Sequence, residues 1–284
     1  MKKFAIAGSR LLTVLVAGAI AVPASADSRP PVPPPSAALS YADLADLADS
    51  APMVIRAQPR KIAQVEAERA LSLRPGWGRF YVEARTEGVI AGTQPLGSDL
   101  RYLVDLPLDA RGKPAAFKKK SVVLFARTVP SRPGEIQLVA PDAQLLWDAA
   151  LDTRLRGVLK ELYASGAPQR ITGVREAIHV TGDLAGEGET QLFLSAANGE
   201  PAAITVSRMP GGAPRWSVSF SEVVAGNAGA PPRDSLAWYR LACFLPPRLP
   251  AAANISSGAA DRTAAAQDYA LVMQQLGPCP RSRK

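Results

Sequence analysis

Across residues 53–147 apolar and polar side chains alternate one by one, and a period of two commits that stretch to half-buried strands rather than helices. Phe80, Val82 and Ala84 alternate with Tyr81, Glu83 and Arg85, and Leu100, Tyr102, Val104 and Leu106 alternate with Arg101 and Asp105. Residues 122–126 form an unbroken apolar run, as a central strand would, while 136–139 and 144–147 read as two shorter strands. Pro59 falls inside the first strand, residues 53–65, where the apolar phase slips, which predicts an edge position or a bulge. Five or six antiparallel strands in about 95 residues are enough to close a small barrel and remove most exposed edges.

Helices flank this region. Ser40 is a suitable N-cap for a short helix in which Leu44 and Leu47 form the apolar stripe and which ends at Pro52. Asp43, Asp46 and Asp49 recur every third residue there and read as a solvated face, since a hard cation takes its ligands from a loop that wraps it. Residues 151–165 carry Leu151, Leu155, Val158, Leu159 and Leu162 on one face, a stripe that must meet a core; Gly166, Ala167 and Pro168 end it. In the second half, residues 191–195, 203–208 and 215–223 read as a three-stranded antiparallel meander joined by Asn198-Gly199 and Pro210-Gly211-Gly212. Two helices follow, over residues 234–245 and 261–276, the second with Ala265, Tyr269, Val272, Met273 and Leu276 on one face. The fold class is therefore mainly β with α (α+β): a β-barrel-like first unit over residues 39–166 and an α+β unit over residues 167–284.

What precedes residue 39 reads as an address. Lys2 and Lys3, a twelve-residue apolar run at 11–22, the helix-breaking Pro23 and the small residues Ala24-Ser25-Ala26 compose a secretory signal over residues 1–26, with cleavage before Asp27. An uncleaved anchor needs roughly 20 apolar residues, and Arg10 stops the run from extending backwards. No cysteine near the cleavage point suggests a lipoprotein, and Arg10 is not part of a twin-arginine pair, so export is expected to follow the general secretory route to the periplasm or medium. Residues 27–38, with five prolines, form an extended spacer. No transmembrane segment is expected after processing.

That compartment governs the two cysteines. Cys243 and Cys279 would meet oxidising conditions, where an even pair is most simply a disulfide, and closing a loop of about 37 residues stabilises the fold by roughly 3 to 4 kcal/mol on the chain-entropy model. The competing reading makes Cys243 a nucleophile with His179 as base, but a thiol nucleophile needs a lowered pKa, and Ala242 and Phe244 point to a packed helix. Removing the signal takes three basic residues, so the formal charge falls from +8 to +5, and Arg281, Arg283 and Lys284 carry three of those five. The nearly neutral body argues against a nucleic-acid partner, which calls for a dense basic face.

The catalytic inventory is thin. One histidine and two cysteines do not make a zinc site, so no metal and no cofactor are assigned, and none of the common nucleophile-elbow, zincin, Walker or dinucleotide motifs is present. His179 is the one imidazole; Glu176, three residues away, would point to the opposite face of a strand, and Asp183, Glu187 and Glu189 lie on a glycine-containing loop beyond it. The remaining cluster is basic: Arg111, Lys113, Lys118, Lys119 and Lys120 lie within ten residues and are read either as edge-protecting surface or as a contact for anionic envelope lipid or lipopolysaccharide phosphate.

The run RYLVDLPLDARGKP at residues 101–114 and the run LAWYRLACFLP at 236–246 resemble segments of uncharacterised exported proteins of alphaproteobacterial type, a resemblance that covers most of the mature chain. It implies a bacterial source and adds no catalytic residue, because such proteins have no assigned activity. The element order of residues 53–165 also resembles an OB-fold, a five-stranded barrel with a helix, although a β-sandwich gives a similar pattern. Together these observations lead to an expected periplasmic or secreted, non-catalytic protein that binds a partner or envelope component. The alternatives are a periplasmic hydrolase whose acid/base site is assembled only by the fold, and anionic-lipid binding through the lysine cluster.

Overall fold

The structure, a computed structural model, describes residues 39–220 and 229–283. The expected cleavage site at Ala24, Ala26 and Asp27, the polyproline spacer, the last residues of the expected strand at 215–223, and Lys284 lie outside the described residues. The described chain is mainly β with some helix, built on two antiparallel sheets.

The first sheet contains β1 (Met53–Gln64), β2 (Trp77–Ala91), β3 (Asp99–Pro107), β4 (Val122–Thr128), β5 (Ile136–Leu138) and β6 (Gln144–Leu146). Its order is β3-β2-β1-β4-β5, with β6 also pairing with β4. The unbroken apolar run of β4 is buried from Val122 to Ala126 because β1 takes one of its edges, β5 and β6 share the other, and helices cover its face. Pro59 sits at a register shift in the β1–β2 ladder and beyond Ala57, where pairing with β4 stops, so its missing N–H costs the sheet little.

The expected barrel does not close. Among the described residues, the two ends of the sheet, β3 and β5, meet through one isolated parallel bridge between Arg101 and Glu135, with backbone bonds from Arg101 N to Gly134 O and from Asp105 N to Pro141 O. A three-residue β5 is too short to carry a ladder along the nine residues of β3, so the sheet stays parted there.

The second sheet runs β7 (Ile171–Thr181), β8 (Gly188–Ala196), β9 (Ala202–Arg208) and β10 (Arg215–Ser219) in consecutive order, so the three expected strands gain a fourth, β7, on one edge. Helix α4 (Ala259–Leu276) packs across β7 and β8 through Ala265, Tyr269 and Val272. Helices α1 (Tyr41–Ser50), α2 (Ala149–Leu162) and α3 (Leu236–Ala242) pack on one another, and buried apolar side chains run without a break from the first sheet through these helices to the second.

Helix α1 overturns the expectation of a solvated acidic face. A capping box at Ser40 and Asp43 fixes its start, and the three aspartates lie on one stripe because residues three apart are neighbours on a helix. Asp43 is 1% exposed and accepts from Ser282 N, Ser282 Oγ and Arg283 N. Asp46 accepts from Tyr239 Oη at 2.6 Å and from Arg281 Nε at 2.6 Å. Asp49 takes a bidentate grip from Arg240, both bonds 2.8 Å, and a third bond from Arg170. The stripe is an internal seam between the two ends of the chain.

Cys243, the C-cap of α3, is disulfide-bonded to Cys279, which follows α4, with the Cα atoms 5.2 Å apart. Gly277 ends α4 at φ +69°, a conformation that strains any side chain, and sends the tail back toward α1. Among the described residues no helix is long and apolar enough to cross a membrane.

Replacing both cysteines by serine is expected to lower unfolding stability by roughly 3 to 4 kcal/mol on the chain-entropy model, read as a shift in the urea midpoint at pH 7. A second expectation concerns acid. Burial would raise the pKa of Asp49, but hydrogen bonds from Arg240 and Arg170 outweigh it and hold the group below its ordinary 3.8; Asp43 is held low in the same way by Ser282 and the 282–283 backbone. A carboxylate with a depressed folded-state pKa stabilises fully above its unfolded value and loses that contribution as pH falls through the folded value. Stability measured by urea titration should therefore fall below about pH 4, and Asp49→Asn should be less stable at pH 7 with a shallower acid limb.

Candidate functional site

The parted edge of the first sheet leaves a groove of about 690 Å3 between β3 and β5. Alternation decides what lines it. Phe80, Val82, Leu100, Tyr102 and Val104 point into the core, so the outward residues of β2 and β3 face each other as Arg79 with Asp105, Tyr81 with Leu103, and Glu83 with Arg101. On the far side, Arg127 of β4 sits across from Gln137 of β5, and Arg132 stands on the connecting turn. Gly134 in that turn is required: at φ +79° its carbonyl accepts from Arg101 N, and a Cβ would lie 3.1 Å from Asp99 O.

Charge in the groove is divided between occupied and unoccupied cations. Arg79 grips Asp105 in a bidentate pair of 2.7 and 2.8 Å, and Asp105 is almost wholly buried. Arg132 pairs with Glu135 at 3.3 Å. Arg101 and Arg127 are exposed, and among the described residues neither guanidinium has an ion-pair or hydrogen-bond partner. Beside them Leu103 is 49% and Tyr81 37% exposed, side by side, an arrangement a sheet built only for stability would have covered. A second hollow, of about 580 Å3, opens between the end of β2 at Ile90 and Gly92 and helix α2, but its Arg156 is already tied to Asp152.

The residues singled out from sequence lie elsewhere. Arg111 and Lys113 stand on a tight turn whose Asp109 carboxylate accepts from both their backbone N–H groups, at 2.8 and 2.9 Å. Those bonds, the one from Lys113 first, hold the Asp109 carboxyl below its usual range. Lys118, Lys119 and Lys120 form a separate turn pinned by Lys119 N to Pro59 O. All five are exposed, none lines the groove, and no hydrogen bond or ion pair among the described residues draws the two turns together. The groove arginines were legible only as outward strand positions; the available signal was that these positions carry Arg, Tyr and Leu where a plain solvent face carries Thr, Lys and Glu.

His179 is 6% exposed on β7 and belongs to a closed polar network. Its Nδ1 lies 2.8 Å from Thr190 Oγ1; the Thr190 hydroxyl donates to Oδ2 of Asp268 on α4, and Arg208 of β9 donates to Oδ1 of the same carboxylate through both Nε and Nη2. The backbone N–H of His179 donates to Ser256 Oγ at 3.0 Å. Glu187 instead folds back on its own loop, accepting from Leu184 N, and Glu189 pairs with Gln191, so neither they nor Asp183 makes a hydrogen bond to the imidazole. Among the described residues no group of three or more His, Cys, Asp or Glu is placed to hold a metal ion. The chain matches no known protein-family model and no curated protein.

Asp268 is wholly buried and is met by Arg208, Thr190 and, at 3.6 Å, His179. Asp268→Ala leaves the half-buried Arg208 guanidinium without its carboxylate and the Thr190 hydroxyl without its acceptor, and should cost roughly 1 to 3 kcal/mol in urea unfolding.

Proposed function

We propose that this chain is an exported, non-catalytic binding protein that holds an anionic envelope component in the groove between β3 and β5. The observation that carries the reading is the presence of two unpartnered guanidiniums, Arg101 and Arg127, on strands beside exposed Tyr81 and Leu103. Backbones on paired strands are already fixed when a ligand arrives, and the planar guanidinium fork matches a carboxylate or phosphate. The lysine-bearing turns at residues 109–120 offer more charge but no concave surface and no apolar wall.

The strand order supports reading the first unit as an OB-like, partly open barrel, with β5 turned alongside β3 in parallel. On that reading the groove lies on the β2–β3 face beside the turn that joins β4 to β5. The consecutive order of the second sheet likewise supports a meander. Export is supported by the secretory signal read from the sequence and by the disulfide, which is compatible with a location outside the cytoplasm. The hydrolase reading lacks support, because His179 is enclosed by Thr190, Asp268 and Ser256 rather than aimed into the groove.

Titration of the protein lacking residues 1–26 with inorganic phosphate and with citrate, followed by two-dimensional amide NMR at pH 7, should move the resonances of residues 101–103, 127 and 134–137 first. Arg101→Gln with Arg127→Gln should remove those shifts. Shifts that begin at residues 118–120 would move the site to the lysine turn, and turnover of ester, peptide or glycosidic substrates that is lost in His179→Ala would make the protein an enzyme.

A further inference from the structure

Resting on that assignment of the groove, we propose that its ligand is an amphiphilic anion, an apolar body carrying a single carboxylate or phosphate head, and not a polyanion. The reason lies in how charge and apolar surface are distributed along β3. At one end Arg101 stands opposite Glu135, and Arg127 stands opposite Gln137, two residues further along the same strand. The two are offset by two residues of strand, about 7 Å along it, and both line the same groove. That end alone has uncompensated charge.

From there the groove becomes apolar. Leu103 and Tyr81 form one wall, and Val139, Ala140 and Pro141 continue β5 on the other. It closes at the Arg79–Asp105 pair, beside which Asp105 N bonds to Pro141 O. Residues 101–105 cover about 13 Å, so the head site and the closed end are separated by the length of a short acyl chain or a compact apolar body.

A polyanion fits this arrangement badly. Extending along β3, its further charges would meet Asp105, whose cation Arg79 is already taken. It would also leave Tyr81 and Leu103 against water, forfeiting the burial that an apolar body gains. An amphiphilic anion satisfies both ends at once: a bidentate contact from each free guanidinium to the head, and apolar surface on the wall.

The test is calorimetric titration of the protein lacking residues 1–26 with decanoate, decyl phosphate, decanol and poly-glutamate, each below the concentration at which it aggregates. Decanoate or decyl phosphate should bind, and whichever binds tighter identifies the head group. Decanol should bind about tenfold or more weakly, and Arg101→Gln with Arg127→Gln should bring the anions down to the decanol value, the loss expected for charge-assisted contacts. Leu103→Asp, an exposed strand position, should abolish binding while leaving the urea midpoint within the range of a surface change. Binding of poly-glutamate that depends on Arg101 and Arg127 overturns the amphiphile while leaving an anion groove standing, whereas decanol binding equal to that of decanoate and decyl phosphate overturns the anionic head and the anion groove with it. If no titrant binds, and phosphate and citrate move no groove amide, both the ligand class and the groove assignment fall.

Discussion

Three carboxylates share one stripe of α1, with Asp43 buried, Asp49 largely covered and Asp46 partly exposed, and a charge taken out of water must be met by cations and N–H donors or be neutralised. The chain answers Asp43, Asp46 and Asp49 from remote places: Arg170 ahead of the second sheet, Tyr239 and Arg240 on α3, and Arg281 with the 282–283 backbone at the end of the described chain. Helix α1 therefore has its partners only when both sheets are formed and the tail has come back. The disulfide makes that return more probable by tying Cys279 to the end of α3, so that little chain remains free between the bond and Arg281. A further link, from Arg283 and Arg74 to Asp142, draws the tail onto the segment just past β5. The seam on α1 and the loop that borders the groove are thereby connected through the same few residues.

The second sheet solves the same problem on a smaller scale. Asp268 enters the interior on α4 and is satisfied by Arg208 from β9 and Thr190 from β8, with the His179 ring on β7 completing the set. Three adjacent strands and the helix across them are thus fixed in relation by one carboxylate. The network gives His179 a structural place: its Nδ1 is committed to Thr190, and Gly188 lies so close that a Cβ there would stand 2.9 Å from the ring. A group enclosed in this way sets register better than it moves protons.

Local periodicity made most of the elements legible. The strands from Met53 to Leu146, the apolar stripe of α2 and the face of α4 all follow from spacing, since each buries one side against a single neighbouring layer. Strand β7 hides in the sequence because its ladder with β8 slips between Ile171 and Gly173 and again between Val174 and Glu176, which breaks the period of two. The aspartates of α1 present the spacing of a solvated face; their partners lie 121 to 240 residues away, a distance no window of sequence can bridge. Strand count points to barrel closure but ignores strand length: β5 has three residues, and what it fails to cover becomes the groove. The cysteine pairing was readable, since two cysteines leave only one intramolecular bond to make.

The choice between the groove and the lysine turns comes down to what each must give up on binding. Lys118, Lys119 and Lys120 are strongly hydrated point charges on a solvated turn, and a ligand there must order long side chains and displace water without any apolar surface to offset the cost. Arg101 and Arg127 project from paired strands, the backbone of Arg101 held by β2 on one side and Gly134 on the other, and that of Arg127 by β5. At the other end of the groove Arg79 shows what that geometry does with an anion, since it closes on Asp105 through two parallel bonds. On the proposed reading the same planar fork is presented twice more, by Arg101 and Arg127, which make no ion pair among the described residues and stand beside an apolar wall that the lysine turns lack.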